Sequence, residues 1–332
     1  MKKQTMTIRS TGRAIFCVAA LFALALAPTA GMGQDFPTKP IHIIVPYAPG
    51  GGTDVLARIV AQHLSEELKQ QVVVDNKPGA GGSLGAGLAA KAPADGYTLV
   101  VATSATMMFP ALYKDLGFDP VNDFTPIALI GTSPFILIAN NNLPVKNMSE
   151  LIALAKSKPG SLSYGSAGNG SVNHITMELF KVMAGVDILH VPYKGSSGAL
   201  TDVMGGQISM MMDTVISATQ QIKGGKVKAL GATGLERSSL SPDLPTISEQ
   251  GPKGYEATVW YGLAAPKGVP DAIAQKLNMQ INKVLGSTAL RQRFASLGAE
   301  PVLINTTEFG KLMAADEKKW GSVIRSANIR VQ

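Results

Sequence analysis

Short apolar runs alternate with amphipathic stretches from Phe36 onward, and this alternation restricts the chain to an α/β fold with a largely parallel sheet. The opening unit shows the pattern most clearly. Ile41, Ile43, Ile44 and Val45 read as a strand, and Leu56, Ile59, Val60, Leu64 and Leu68 recur at helical spacing. Between them lies Pro46-Tyr47-Ala48-Pro49-Gly50-Gly51-Gly52-Thr53-Asp54. Three successive glycines remove every Cβ from this turn, so a ligand can approach bare N–H groups where the helix dipole concentrates partial positive charge. The turn is either an anion cradle or a packing turn that seats a helix on a strand. No lysine follows Gly52, which excludes a P-loop, and the G-x-G-x-x-G spacing of a dinucleotide fold is missing. A carboxylate, smaller and less charged than a pyrophosphate, suits the turn better.

The same arrangement returns later in the chain. Leu162 to Gly165 reads as a strand, Ser166-Ala167-Gly168-Asn169-Gly170-Ser171 as a small-residue turn, and Ile175, Leu179 and Val182 as the apolar stripe of a helix. Two such turns in different halves of the chain would face each other if the halves closed on a ligand, which favours the cradle over the packing turn. Other polar residues fall at predicted strand ends, where open α/β sheets bind ligands. Ser104 and Thr106 follow the strand Tyr97 to Ala102 and either contact a ligand or cap the next helix. Asp213 follows the strand Ile208 to Met212 and either receives an ammonium or hydroxyl or holds its own loop. His174, one turn into a helix, either lines the cleft or is a satisfied structural histidine.

The first 33 residues have a different character. Lys2, Lys3, Arg9 and Arg13 precede an apolar run of 14 residues from Ala14 to Ala27 and then a stretch of small residues. A spanning helix needs roughly 20 apolar residues, so this segment is expected to be a secretory signal peptide cleaved near Gly33, and the mature protein to be exported. Cys17 is the only cysteine and lies within the leader, so no disulfide, thiolate metal site or cysteine nucleophile is expected. The leader carries four positive residues and no acidic one, so the formal charge of +7 falls to +3 on its removal. That balance argues against a nucleic-acid surface. No later stretch reaches the length of a membrane span, and a soluble product is expected. With 45% hydrophobic residues, a mature chain of about 300 residues can build a core without disulfides, and its length suggests about two domains. The Met107-Met108-Phe109 and Met210-Met211-Met212 clusters read as core rather than as an apolar ligand pocket.

An enzyme is the rival class. No G-x-S-x-G elbow occurs, and His42, His63, His174 and His190 form no metal-spaced pair. Asp54, beside Thr53 at a helix start, reads as a residue that orients the turn rather than as a catalytic base.

Six segments then carry a resemblance: Phe36-Pro37-Thr38-Lys39-Pro40, Pro49 to Asp54, Asn76 to Gly82, Ala94-Asp95-Gly96-Tyr97, Ser166 to Ser171, and Val191-Pro192-Tyr193-Lys194-Gly195. They occur in order, and the mature chain, essentially over its whole length, resembles the Bug-type receptors, the periplasmic substrate-binding components of tripartite tricarboxylate transporters; the resemblance implies a mature protein in the periplasm. The resemblance implies a type II periplasmic-binding-protein (venus-flytrap) α/β fold with a mixed sheet in each domain. It places domain 1 at 34–133 and 259–332, and domain 2 at 134–258. It further implies a small carboxylate held by Tyr47, Gly51, Gly52, Thr53 and Asp54 on one side and by Ser166, Ala167, Gly168, Gly170 and Ser171 on the other. Ser104, Thr106 and Asp213 complete the candidate set, with no metal and no cofactor. Many members have Ser-Thr-His where this chain has Ser104-Ala105-Thr106, so the far end of the ligand is not fixed by the resemblance. A monomer is expected, delivering a dicarboxylate, tricarboxylate, amino acid or aromatic acid to membrane permease subunits. The alternative is a periplasmic sensory protein that feeds a membrane sensor kinase.

Overall fold

The computed structural model describes residues 1–2, 36–237, 242–326 and 328–329. The expected leader, its cleavage point near Gly33 and Cys17 lie outside the described residues. The chain divides into two compact units, Met1–Thr38 and Lys39–Gln332. In the first, the described Phe36–Pro37 peptide is cis. Every element below belongs to the second.

Strand β1 (Ile41–Val45) buries Ile41, Ile43 and Val45 and exposes His42, the period of a strand with one face on a core. Helix α1 (Gly52–Leu68) buries Leu56, Val60 and Leu64 on one stripe and ends at Lys69, which takes the left-handed conformation and donates its N–H to Ser65 O. The chain continues through β2 (Val72–Asn76), α2 (Ser83–Ala90), β3 (Thr98–Thr103) and α3 (Ser104–Leu112). Strands β2 and β3 flank β1, both parallel to it. A second series follows the long strand β4 (Phe124–Ala139): α4 (Met148–Ser157), β5 (Ser163–Ser166), α5 (Val172–Ala184), β6 (Leu189–Pro192), α6 (Ser196–Gly205), β7 (Met210–Thr214), α7 (Val215–Lys223) and β8 (Lys228–Ala232). Strands β6 and β7 flank β5, again parallel to it. The repeat seen in the sequence is therefore a repeat of topology.

After α8 (Ile247–Gln250), β9 (Thr258–Pro266) returns the chain between β3 and β4, antiparallel to both. The order along the sheet is β2-β1-β3-β9-β4-β7-β5-β6, with β8 and the short β10 (Glu300–Pro301) also paired to β4. Helices α9 (Asp271–Gly286), α10 (Thr288–Ser296) and α11 (Thr306–Ser326) close the chain. No helix among the described residues is long and apolar enough to cross a membrane.

Gly131-Thr132-Ser133-Pro134 reads as a break between two strands, yet β4 runs through it as one strand of 16 residues. The turn-like composition marks a change of partner instead. Up to Pro134 the strand pairs with β9, and from Phe135 it pairs with β7 and β8. Proline has no N–H to give a ladder, so it suits the point where one ladder ends. Gly131 has its own reason: a Cβ there would lie 2.4 Å from Glu300 O on β10.

Packing follows the sheet's change of partner. Val100, Leu129, Trp260, Phe309 and Met313 share one cluster, and Ile136, Ile138, Leu200, Val203 and Met211 share another. Met107, Met108, Met210, Met211 and Met212 are all buried in such surroundings. Each large apolar side chain removed from water contributes about 1.5–3 kcal/mol. The Trp260 and Phe309 rings meet edge to face at 5.5 Å, and the indole N–H donates to Asp316 Oδ2 at 2.8 Å. A Cβ at Gly262 would stand 2.1 Å from the Phe309 ring, so only glycine lets α11 seat on β9.

Candidate functional site

The β1–α1 turn is held by a carboxylate behind it. Asp54 is buried, and its Oδ2 accepts the Gly50 N–H at 3.0 Å while its Oδ1 accepts the Asn76 amide at 2.9 Å. Arg58 Nε donates to both carboxylate oxygens, at 3.0 and 3.1 Å, and Asn76 also donates to Tyr47 O at 2.9 Å. Burial works against the charged carboxylate, but Arg58, the Gly50 N–H and Asn76 together outweigh it and hold Asp54 below the usual carboxylate range. Gly50 takes φ +89°, which a side chain would strain. The N-cap of α1 is Gly51, which has no side chain to satisfy the first helical N–H groups. These donors open on the cavity lined by Tyr47, Gly51, Gly52 and Thr53.

Opposite stands the β5–α5 turn, whose polar groups are largely engaged within the turn itself. Ser166 Oγ accepts the Gly168 N–H at 3.0 Å and lies 2.7 Å from His190 Nε2. Gly170 donates to His174 Nδ1 at 3.1 Å, and Ser171 Oγ caps α5 at the His174 N–H. The His174 and His190 rings stack at 4.1 Å beneath the turn, with Tyr164 stacked on His190 at 4.8 Å. Burial, with the Lys181 charge adding to it, lowers His174 to about 4; burial, then His174, lowers His190 to about 3. Both rings are neutral near pH 7, and the Gly170 contact leaves His174 Nδ1 without a proton. Ser166, Gly170, Ser171 and His174 thus shape the turn from behind, Ala167 alone of the turn lines the inner cavity, joined by Val172 and Asn173 from α5, and Gly168 lines a larger chamber beside it. Asn173 is fixed by its amide donating to Met212 O at 2.7 Å.

The other sequence candidates sit behind the cavity wall. Ser104 Oγ accepts the Trp260 N–H at 3.1 Å, and Thr106 Oγ1 accepts the Thr103 N–H at 3.1 Å, so both hydroxyls serve the β3–α3 junction. Asp54 is likewise a support for its turn. Asp213 is fully buried on β7, with Oδ1 accepting the Thr214 N–H at 2.9 Å and Oδ2 without a partner. Burial raises its carboxyl to about 7 against the opposing Ser217 hydroxyl and Thr214 N–H. Its neighbour Thr214 lines the cavity, as do Thr103, Ser196 and Tyr261, none of them in the sequence candidate set. Thr103 and Thr214 each stand one residue from a candidate, because β3 and β7 run a little further than their apolar stretches indicate. The Tyr261 hydroxyl is buried with no hydrogen-bond partner, and burial followed by the nearby Asp213 charge raises its pKa. Tyr47, across the cavity, is pushed up by burial to about 12.

The β1–α1 turn approaches the β6–α6 turn and the start of α6, and the β5–α5 turn approaches Tyr113 just beyond α3. Ala48 donates its N–H to Lys194 O at 3.3 Å, Ser197 Oγ donates to Pro49 O at 3.0 Å, and the Tyr113 hydroxyl donates to Asn169 O at 2.6 Å. A Cβ on Gly51 would lie 2.6 Å from Ser196 Oγ, and one on Gly52 2.4 Å from Thr214 Oγ1. The space left between them is about 30 Å³ for the centre of a water molecule. At 10–15 Å³ per water this admits roughly two waters, or the two oxygens of one carboxylate. Among the described residues no cluster of His, Cys, Asp or Glu has the arrangement of a metal site.

Comparison with known proteins identifies the family and the fold. The chain matches the "Tripartite tricarboxylate transporter family receptor" over residues 56–329. Among solved structures it is similar to the periplasmic binding protein BugD, with 35% identity, a TM-score of 0.87, and coverage of 90% of this chain and 100% of that one. It is also similar to Rpa4515 of R. palustris with adipate, at 36% identity, TM-score 0.86, and 89% and 99% coverage. A third is MatC (Rpa3494) from Rhodopseudomonas palustris with bound malate, at 34% identity, TM-score 0.84, and 87% and 100% coverage. The chain belongs to the tripartite tricarboxylate transporter receptor family, the Bug-type solute-binding proteins of the periplasm.

Proposed function

We propose that this protein binds a small carboxylate between its β1–α1 and β5–α5 turns and presents it to the membrane permease subunits of a tripartite tricarboxylate transporter. The observation that carries this is the inner cavity itself. The uncapped start of α1, with Gly51, Gly52 and Thr53, faces Ala167 and Asn173 across space for about two water centres, and the unpartnered Tyr261 hydroxyl lines the same space. Bound adipate and malate in the similar Rpa4515 and MatC structures support an organic acid as the ligand. In this reading the leader directs export and is removed near Gly33.

The binding event is a closure of two lobes, 34–133 with 259–332 against 134–258. The change of partner along β4 at Pro134 and the return of β9 at Thr258 support those boundaries. A micromolar receptor needs about 8 kcal/mol, and one hydrogen bond to a charged group contributes about 1.5–3 kcal/mol. One turn cannot supply that, whereas the α1 start together with Ala167 and the Ser196, Thr214 and Tyr261 hydroxyls around the cavity can, so the closed state is favoured only when a ligand engages both sides. A thermal-shift screen of the purified protein against dicarboxylates, amino acids and aromatic acids, followed by calorimetry, tests the reading. Binding by organic acids alone is the expected result, and a screen with no carboxylate among its hits would overturn it. Failure of a deletion strain to grow on the acid that binds then tests transport.

A further inference from the structure

The inner cavity is too small to enclose a whole ligand. Space for two water centres accommodates one carboxylate group, so the rest of an organic acid must lie elsewhere. A second chamber of about 450 Å³ shares Ala167 with the first as a wall. One side is the β2–α2 turn, with Gly79 and Gly81; the other includes Asn169, Tyr193 and Lys194. The glycines set its geometry, since a Cβ on Gly81 would lie 1.9 Å from Asn169 O and φ there is +64°.

Lys194 is the one residue with a formal charge in this lining. Its main chain is tied to the opposite turn through the Ala48 N–H, so the residue arrives at the chamber as the turns meet. Its ammonium makes no ion pair among the described residues. The Tyr193 hydroxyl beside it is already committed to Asp202 Oδ2 at 2.5 Å. The chamber therefore offers a ligand mostly backbone, small side chains and a single cation.

We propose that Lys194 reads the far end of the ligand: an acid with one carboxylate in the inner cavity extends through the outer chamber and pairs a second anionic group with the Lys194 ammonium. Lys194 is then a specificity-determining residue that separates linear diacids from monoacids. This rests on the carboxylate reading above.

Adipate and hexanoate have the same carbon chain and differ in the second carboxylate, so calorimetric titration of each isolates the contribution of Lys194. In the wild-type protein adipate is expected to bind at least about tenfold more tightly. Lys194→Gln should bring adipate to within about twofold of hexanoate, and Lys194→Glu should make it the weaker of the two. Lys194 is exposed, so thermal melts of both variants are expected to match wild type. An adipate advantage that survives Lys194→Gln, or equal affinities for the two acids in the wild-type protein, refutes the role of Lys194 and leaves the inner cradle standing. If no carboxylate binds at all, the cradle fails and this inference with it.

Discussion

Asp213→Asn separates electrostatic burial from packing at the heart of the β7 end. The carboxyl is fully buried, one oxygen has a single N–H partner and the other has none. Burial raises its pKa from 3.8 to about 7. In the unfolded chain the group ionises near 3.8, whereas the folded protein holds its proton until about 7, so the native state binds more protons between these values. Stability is therefore lost as pH rises through that window and stays reduced above it. The gap corresponds to about 4 kcal/mol at pH 8. Asparagine keeps the shape and the acceptor for Thr214 while removing the ionisation. Urea denaturation at intervals between pH 4 and pH 8 should show the variant gaining on wild type by up to about 4 kcal/mol, with the gain flattening above pH 7. A stability difference that does not change with pH would refute the reasoning, because a purely steric effect has no reason to titrate. The same residue bears on binding: a ligand anion beside Tyr261 and Thr214 disfavours a charged Asp213 further, so binding is expected to take up protons near pH 7 in wild type and not in Asp213→Asn.

Two further outcomes follow from distances in the site. Gly52→Val places a Cβ 2.4 Å from Thr214 Oγ1 and so obstructs closing of the β1–α1 turn against the opposite cavity wall at the start of α7. Losing the opposite wall's share of about 8 kcal/mol should weaken a carboxylate roughly 10²- to 10³-fold, with a circular dichroism spectrum like that of wild type; an unchanged calorimetric affinity would eliminate the cradle. His174 is held neutral, with its pKa lowered by burial from 6.5 to about 4, so the unfolded chain gains protons first as pH falls and stability drops from about pH 6.5 down to about pH 4. This one residue removes about 2 kcal/mol at pH 5, and His174→Gln, whose amide oxygen can still accept the Gly170 N–H, should lose less stability than wild type between pH 7 and pH 5. Equal losses in urea midpoints would show that His174 is not buried as the neutral ring.

The site was half legible before folding was considered. Tyr47, Gly51, Gly52, Thr53 and Ala167 line the inner cavity, and all five belong to turns whose glycines and small residues identify them locally. Asp54, Ser166, Gly170 and Ser171 lie in the same turns but act behind the lining, as supports, helix caps and partners for the turn's own N–H groups, while Gly168 lines the outer chamber. Whether a turn residue faces out or back depends on its hydrogen-bond partners, and of these Asn76 comes from β2 and His190 from β6, while Arg58 reaches back one turn along α1 itself.

Periodicity and turn chemistry act over a few residues, and they alone determined that this chain is a series of strand–turn–helix units repeated in two halves, with small-residue turns at matching ends. Only the tertiary structure decided which residues close the cavity between them. Tyr261 enters on β9, far along the chain from the β3 and β4 strands it lies between, and Thr103, Ser196, Thr214 and Asn173 reach the same space from separate elements. The strand that carries Tyr261 looks locally like any other apolar strand. Its hydroxyl reaches the cavity because the long-range antiparallel pairing puts it, buried and without a hydrogen-bond partner, in the wall beside the start of α1.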